Sequence, residues 1–364
     1  MASIKLKGDT SGEVTISAPS VAGTTTLELP ATSSTLATQN SLGVRNLIIN
    51  GDMRIAQRGT SSAGITTTGY YTIDRWSTSY ANSSATWTNS QDSDVPTGQG
   101  FANSFKILCT TSSAVGTNER LMVGQRFEGQ MLQHLKKGTA NAESLTLSFW
   151  VKSNKTGTYI ANLFDTDNTR SISKAYTINT ANTWEKKTLT FDGDTTGALD
   201  NDNAQSFVLF FGLAVGTFET SGTLQTSWGS NVATDRFVGQ VNLGDTISNY
   251  INITGVQLEV GTEATPFEHR PYDMELAKCQ RYYQIVPCNI YIGNGNGYFW
   301  STAINFPTTM RDDPSVGTVL AGSINAISTE VTEQRSPSGC RFTIAASAAN
   351  AYAIDRRYPF IAEL

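Results

Sequence analysis

The chain has 364 residues, of which 39% are hydrophobic and 16% charged, well below the roughly 25% charged share of ordinary soluble domains. Thr, Ser, Asn and Gly fill the difference, a profile that suits strands and turns and argues against a helical cytosolic enzyme. Lys+Arg 26 against Asp+Glu 31 leaves a net charge of −5 without a basic stripe, so no nucleic-acid partner is expected.

Four regions follow along the chain. Residues 1–43 hold Ile4–Lys7, Gly12–Pro19 and Gly23–Pro30, short alternating pieces bounded by Gly or Pro. Their apolar mass is too small to offset chain entropy alone, so they are expected to order by association, with a floppy terminus as the alternative. Residues 44–270 form a long β domain. The predicted strands are 46–50, 104–109, 121–128, 144–153, 158–164, 173–178, 184–191, 206–215, 237–242 and 250–260, rich in Val, Ile, Thr, Phe and Tyr. The segment Gly129–Leu135 gives a short helical hint. Strands without long intervening helices point to a mainly β chain, with two packed antiparallel sheets in a sandwich or jelly roll. Residues 271–286 hold a helix over 274–284, capped by Asp273, with Leu276, Cys279 or Gln280, and Tyr283 on one face. Residues 287–364 form a small distal β domain, with strands at 289–292, 298–306, 315–320, 326–333 and 340–345. At this size it is marginal alone. No repeat of 20 to 50 residues appears, which argues against a solenoid or propeller.

The opening Met1–Asp9 lacks an apolar core, so no Sec signal peptide is expected. The longest apolar stretch, Phe207–Val215, is far short of the ~20 residues that span a bilayer and reads as a buried strand. The four cysteines, Cys109, Cys279, Cys288 and Cys340, show no CxxC spacing, and His134 and His269 are the two histidines. A structural zinc is therefore not expected, and a Cys279–Cys288 disulfide is allowed but not demanded.

Binding a sugar needs flat aromatic faces ringed by amides and carboxylates. Trp150 sits mid-strand in an apolar run, and Trp76 follows the Asp74-Arg75 turn; both read as core. Trp184 opens a strand and fits either role. Trp87, near Tyr80, and Trp228, in the loop Thr226–Asn231, are the ligand candidates of the β domain, with local packing as the alternative. At the tip, Tyr291, Asn294, Asn296, Tyr298 and Trp300 combine a Gly/Asn turn with aromatics. They suit contact with a sugar or a surface protein, or else a hairpin whose rings pack inward. Metal binding could come from Asp192–Gly197 or from Asp200–Asn203; the first opens like a calcium loop, but Asn203 stands where the bidentate Glu is needed, and a plain Asp/Asn turn is the other reading. No cofactor is required, with room left for a structural calcium. No catalytic residue is assigned: neither histidine has a Ser or Cys partner by motif, and pairs of surface carboxylates are too common to carry weight.

Beyond these readings, Gly12-Glu13-Val14-Thr15-Ile16-Ser17-Ala18-Pro19 and the following Ala22–Ala31 resemble the start of many tail fibres of tailed bacteriophages. Asn46–Gly59 and Asp74-Arg75-Trp76 resemble the opening of a jelly roll of the carbohydrate-binding-module kind found in such fibres. Ser148–Ser153 and Thr254–Gly261 are similar to its later strands. Glu275–Tyr283, Phe306–Pro314 and the closing Ala362-Glu363-Leu364 are similar to the fibre's helix and distal domain, in a style shared with cyanophages. The resemblance implies a homotrimeric virion fibre, located in the phage tail and in the host cytoplasm during assembly. Residues 1–43 would dock on a baseplate or tail protein, and the distal part would meet a host surface glycan or outer-membrane component. The expected mode is binding without cleavage, so no enzyme. The alternatives are a tailspike-like depolymerase, which the missing solenoid repeats disfavour, and a passive structural fibre without a ligand.

Overall fold

The computed structural model describes residues 3–7, 11–17, 45–291, 299–348 and 351–364. The chain divides into two units, Met1–Gly43 and Val44–Leu364. In the first, strand Ser3–Lys7 pairs antiparallel with Glu13–Ser17. The predicted third piece, Gly23–Pro30, lies outside the described residues.

The second unit is built on a β-sandwich. Its six-stranded sheet runs, in spatial order, Glu185–Phe191, Leu145–Ser153, Tyr250–Val260, Ser104–Thr111, Thr86–Asp92 and Ser61–Ile65. The seven-stranded sheet runs Gly229–Ser230, Arg170–Ile178, Gly157–Asp165, Gln205–Val215, Arg120–Glu128, Ser77–Ala81 and Gly69–Tyr70. Successive strands cross repeatedly from one sheet to the other, as in a jelly roll. Alternation along each strand sends Leu147, Phe149 and Val151 from one sheet, and Phe207, Leu209 and Phe211 from the other, into one shared core. Phe149 meets Phe211 with ring centroids 5.0 Å apart, and Trp76 lies 6.3 Å from both Phe105 and Phe211.

Two predicted strands are not strands. Residues 46–50 are irregular: Asn50 takes a left-handed φ of 60°. Its side chain bonds Ile55 N–H and the carbonyls of Ile55 and Asp74, so side-chain amides satisfy the backbone where a ladder would. Residues 237–242 form turns. Conversely, the polar stretch 61–92 yields the strands Ser61–Ile65, Ser77–Ala81 and Thr86–Asp92.

The helix spans Tyr272–Gln280 and starts after Pro271, without a side-chain cap. Asp273 falls in its first turn, where it complements the helix dipole and does not cap. Cys279 and Leu276 pack with Ile49, Ile55 and Tyr282, while Tyr283 opens the next strand. All four cysteines are buried free thiols, so Cys279 and Cys288 are not bridged.

The distal part holds two small sheets. One centres on Tyr352–Ile361, paired with Tyr283–Tyr291, Ser315–Val316 and Ala321–Asn325; the other runs Phe299–Asn305, Gly339–Ala346, Ile327–Ser336. They enclose a core that includes Cys288, Met310, Phe342, Ile344 and Phe360. A buried polar seam ties this part to the sandwich. Glu363 pairs with Arg75 and, at 3.0 Å, with Arg58. The Arg75 guanidinium lies 3.4 Å from the Tyr282 ring centre, and Glu128 accepts two bonds from Arg281 at 2.8 and 2.6 Å. Among the described residues no helix is long and apolar enough to cross a membrane.

Candidate functional site

Trp87 and Tyr80 are not available to a ligand. Trp87 is 0% exposed, and the Tyr80 hydroxyl donates inward to Ala85 O at 2.8 Å. The Ser/Thr/Asn-rich stretch around Trp87 is a strand, and its alternation turns Trp87 and Asn89 into the core. Trp228 is half-buried and belongs to the packing: its ring lies 5.6 Å from Phe207, and its indole N–H donates to Asp192 O at 2.7 Å. Trp228→Ala is therefore expected to lower stability by about 2 kcal/mol and to leave ligand retention unchanged, as urea unfolding and affinity electrophoresis would report. At the tip, Tyr291 is 65% and Trp300 48% exposed. They stand on different sheets, and Tyr291 stacks on Tyr352 at 6.5 Å. Asn294, Asn296 and Tyr298 lie outside the described residues.

The two outer faces of the sandwich differ. On the seven-stranded sheet, Met122 and Ile160 are buried beneath Phe237 and Leu224. The Arg236 guanidinium lies over Phe164, Phe210 and Phe237 at 5.1, 5.7 and 5.2 Å. On the six-stranded sheet, one half of the outer face is closed by the returning segment 262–270. There Gln257 and Glu259 bond to Thr265, and Phe101, Phe267 and His269 form an aromatic cluster.

The other half is open. Trp150, Lys152, Trp184, Lys106 and Tyr250 are each partly exposed there. Register sets Trp150 between Lys186 and Thr254, and Asn252 between Lys152 and Lys106. Asp94 holds the site together: one carboxylate oxygen accepts from the Trp184 indole at 3.0 Å, the other from Lys152 Nζ at 2.6 Å. Lys106 pairs with Asp92 at 3.0 Å and lies 5.3 Å from the Tyr250 ring centre. The Tyr250 hydroxyl donates to Asn182 at 2.7 Å. Burial works to raise the Asp92 carboxyl, but the Asp94 N–H and Lys106 outweigh it and hold it below the usual range. Asn252 is fully buried beneath this face and donates to Ser104 at 3.0 Å. The result is a shallow bed of indole and phenol rings fixed by charge pairs, with carboxylates, amides and ammonium groups placed for hydroxyls.

This face differs from the reading of Trp150 as core. The signal was in the strand itself. In Ser148-Phe149-Trp150-Val151-Lys152 the tryptophan shares the parity of Ser148 and Lys152, and Phe149 and Val151 take the core side. Among the described residues, no group of three or more His, Cys, Asp or Glu stands together as a metal set.

No family model matches the chain, and no curated protein matches it. Among solved structures, the chain is similar to the enzymatically active domain of tailspike protein 4 of bacteriophage CBA120. Identity is 14% and the TM-score 0.33, over 59% of this chain and 21% of that one, so the chain spans about a fifth of its length. It is also similar to the family 11 carbohydrate-binding module of a cellulosomal cellulase of Clostridium thermocellum, at 11% identity and a TM-score of 0.28, over 55% of this chain and 98% of that one. The module TmCBM61, in complex with β-1,4-galactotriose, is 10% identical with a TM-score of 0.31, over 60% of this chain and 99% of that one.

Proposed function

We propose that this chain is a non-catalytic subunit of a phage tail fibre, which attaches the virion to its host by holding a surface glycan on the open face of the six-stranded sheet. One observation carries the glycan reading: Trp150, Trp184 and Tyr250 share a half-open sheet face with Asp94, Lys152 and Lys106. Sugar rings present flat C–H faces to aromatic rings, and their hydroxyls pair with carboxylates and ammonium groups. The fibre reading rests on the sequence resemblance across all four regions. The hairpin Ser3–Lys7 with Glu13–Ser17, too slight to stand alone, suits docking on a baseplate or tail protein. A homotrimer would convert a weak site into firm attachment through effective concentration. The exposed Tyr291, Phe299 and Trp300 suit contact between subunits at the tip.

The test is affinity electrophoresis through gels containing host-envelope polysaccharide. Wild type is expected to be retarded and to leave the polysaccharide chain length unchanged. Trp150→Ala and Trp184→Ala, which remove partly exposed rings, are expected to migrate as in blank gels while keeping the wild-type circular dichroism spectrum. Polysaccharide shortening would move the assignment to a depolymerase. An unretarded wild type would move it to a passive fibre. Light scattering at low micromolar concentration is expected to give the mass of a trimer.

A further inference from the structure

The loop Asp192–Gly197 carries the acidic pattern of a cation loop, and the structure puts a lysine inside it. Lys137 has a side chain only 4% exposed. Its Nζ lies 2.5 Å from Asp165 Oδ2, 3.0 Å from Asp194 Oδ2, 3.0 Å from Thr196 O and 2.7 Å from Gly197 O. An ammonium has three N–H donors, and here four oxygens converge on it. The set is two carboxylates and two backbone carbonyls, the hard-oxygen chemistry that calcium takes.

The cage is rigidly held from outside. Asp165 accepts the Asn168 N–H at 3.0 Å. Asp194 accepts a forked pair of bonds from Arg170 at 2.7 and 2.9 Å, and the Thr196 N–H at 3.1 Å. Gly197 has a left-handed φ of 76°, a conformation that side chains resist. At Gly193 a Cβ would come 2.2 Å from Ala142 O. A cavity of about 460 Å³ is lined in part by Lys137, Gln133 and Leu199. The Trp228 ring centre lies 5.5 Å from Nζ.

We propose that the Lys137 ammonium is a built-in replacement for a divalent cation, and that removing it converts the Asp165, Asp194, Thr196 and Gly197 oxygens into a calcium site. The lysine neutralises the cage from within, so the sandwich keeps this corner ordered whatever the calcium level around it.

The experiment compares full-length wild type with Lys137→Ala. Wild type is expected to melt at the same temperature in EDTA and in 10 mM calcium chloride. Lys137→Ala is expected to melt lower in EDTA and to rise by about 5 °C or more with calcium. Terbium supplies a second readout. Bound in the vacated position it would sit beside Trp228, so the variant is expected to show tryptophan-sensitised luminescence at one ion per chain, competed by calcium, with wild type dark. If Lys137→Ala folds only when refolded with calcium, the proposal is supported. Calcium stabilisation of wild type equal to that of the variant would overturn it. So would Lys137→Ala and Lys137→Ser variants that neither gain stability from calcium nor bind terbium.

Discussion

Arg75→Met is expected to remove about 3–5 kcal/mol of stability, the cost of breaking a buried ion pair from one side. The Arg75 side chain is 1% exposed and its partner Glu363 7%. The guanidinium also donates to Arg126 O at 2.7 Å and covers the Tyr282 ring. Burial works against its charge, but Glu363, with Tyr282 and Tyr70, more than compensates and pushes its pKa above the ordinary arginine value. Methionine would fill much of the volume but leave Glu363 with Arg58 as its remaining ionic partner, and Arg126 O without this donor. Arg75→Lys is expected to fall between, because an ammonium cannot reproduce the planar fork or lie flat on a ring. Since Glu363 follows the last strand, the loss should loosen the distal sheets first. Urea unfolding by circular dichroism measures the total, and limited proteolysis with mass analysis locates the first cuts. An Arg75→Met midpoint equal to wild type would refute the seam as a determinant of stability.

The same seam shows how much was readable in the residues. Asp74-Arg75-Trp76 and the closing Ala362-Glu363-Leu364 were recognisable as motifs far apart in the chain. Nothing in their spacing says that Glu363 returns to Arg75, because that pairing depends on the strand Tyr352–Ile361, which Asp355, Arg356 and Arg357 disguise as a polar terminus. In the structure Arg356 pairs with Glu330 at 2.6 Å, so this charge is neutralised across two neighbouring sheets. The long apolar strands, such as Gln205–Val215 and Tyr250–Val260, were legible because both of their faces are largely buried. The polar strand Thr86–Asp92 was not, since only alternate residues reach the core. Misreading it made a core tryptophan, Trp87, look like a ligand contact. The opposite error hid Trp150: an apolar run reads as core unless the two parities are separated. Local composition thus identified the sandwich, whereas which tryptophan faces outward is fixed by register.

The second large effect is a pH dependence centred on Asp74. Its carboxyl is pushed up to about 6, chiefly by burial, with Glu363 adding to the rise and Arg58 and Gln57 opposing it. In the unfolded chain the group titrates near its ordinary value of 3.8. Between these values the folded state holds the proton more tightly than the unfolded state. Stability therefore falls as pH rises from about 4 to about 6, and Asp74 alone accounts for about 2 kcal/mol of that fall. Carboxylates whose pKa is lowered, such as Glu128 and Asp194, act with the opposite sign and at lower pH, since they protonate in the folded state only below their ordinary range. The shift of Asp52 is also upward and adds to the slope. His134, whose pKa burial lowers, acts the other way as pH rises toward its ordinary value. Comparing wild type with Asp74→Asn cancels these shared terms. The expected result is that the stability difference between the two proteins changes by about 2 kcal/mol from pH 4 to pH 7, in the sense that wild type loses stability relative to the variant. Urea midpoints at half-unit pH intervals measure it. Parallel curves across that range would mean that Asp74 is already ionised at pH 4, and that Arg58, 3.6 Å away, outweighs its burial.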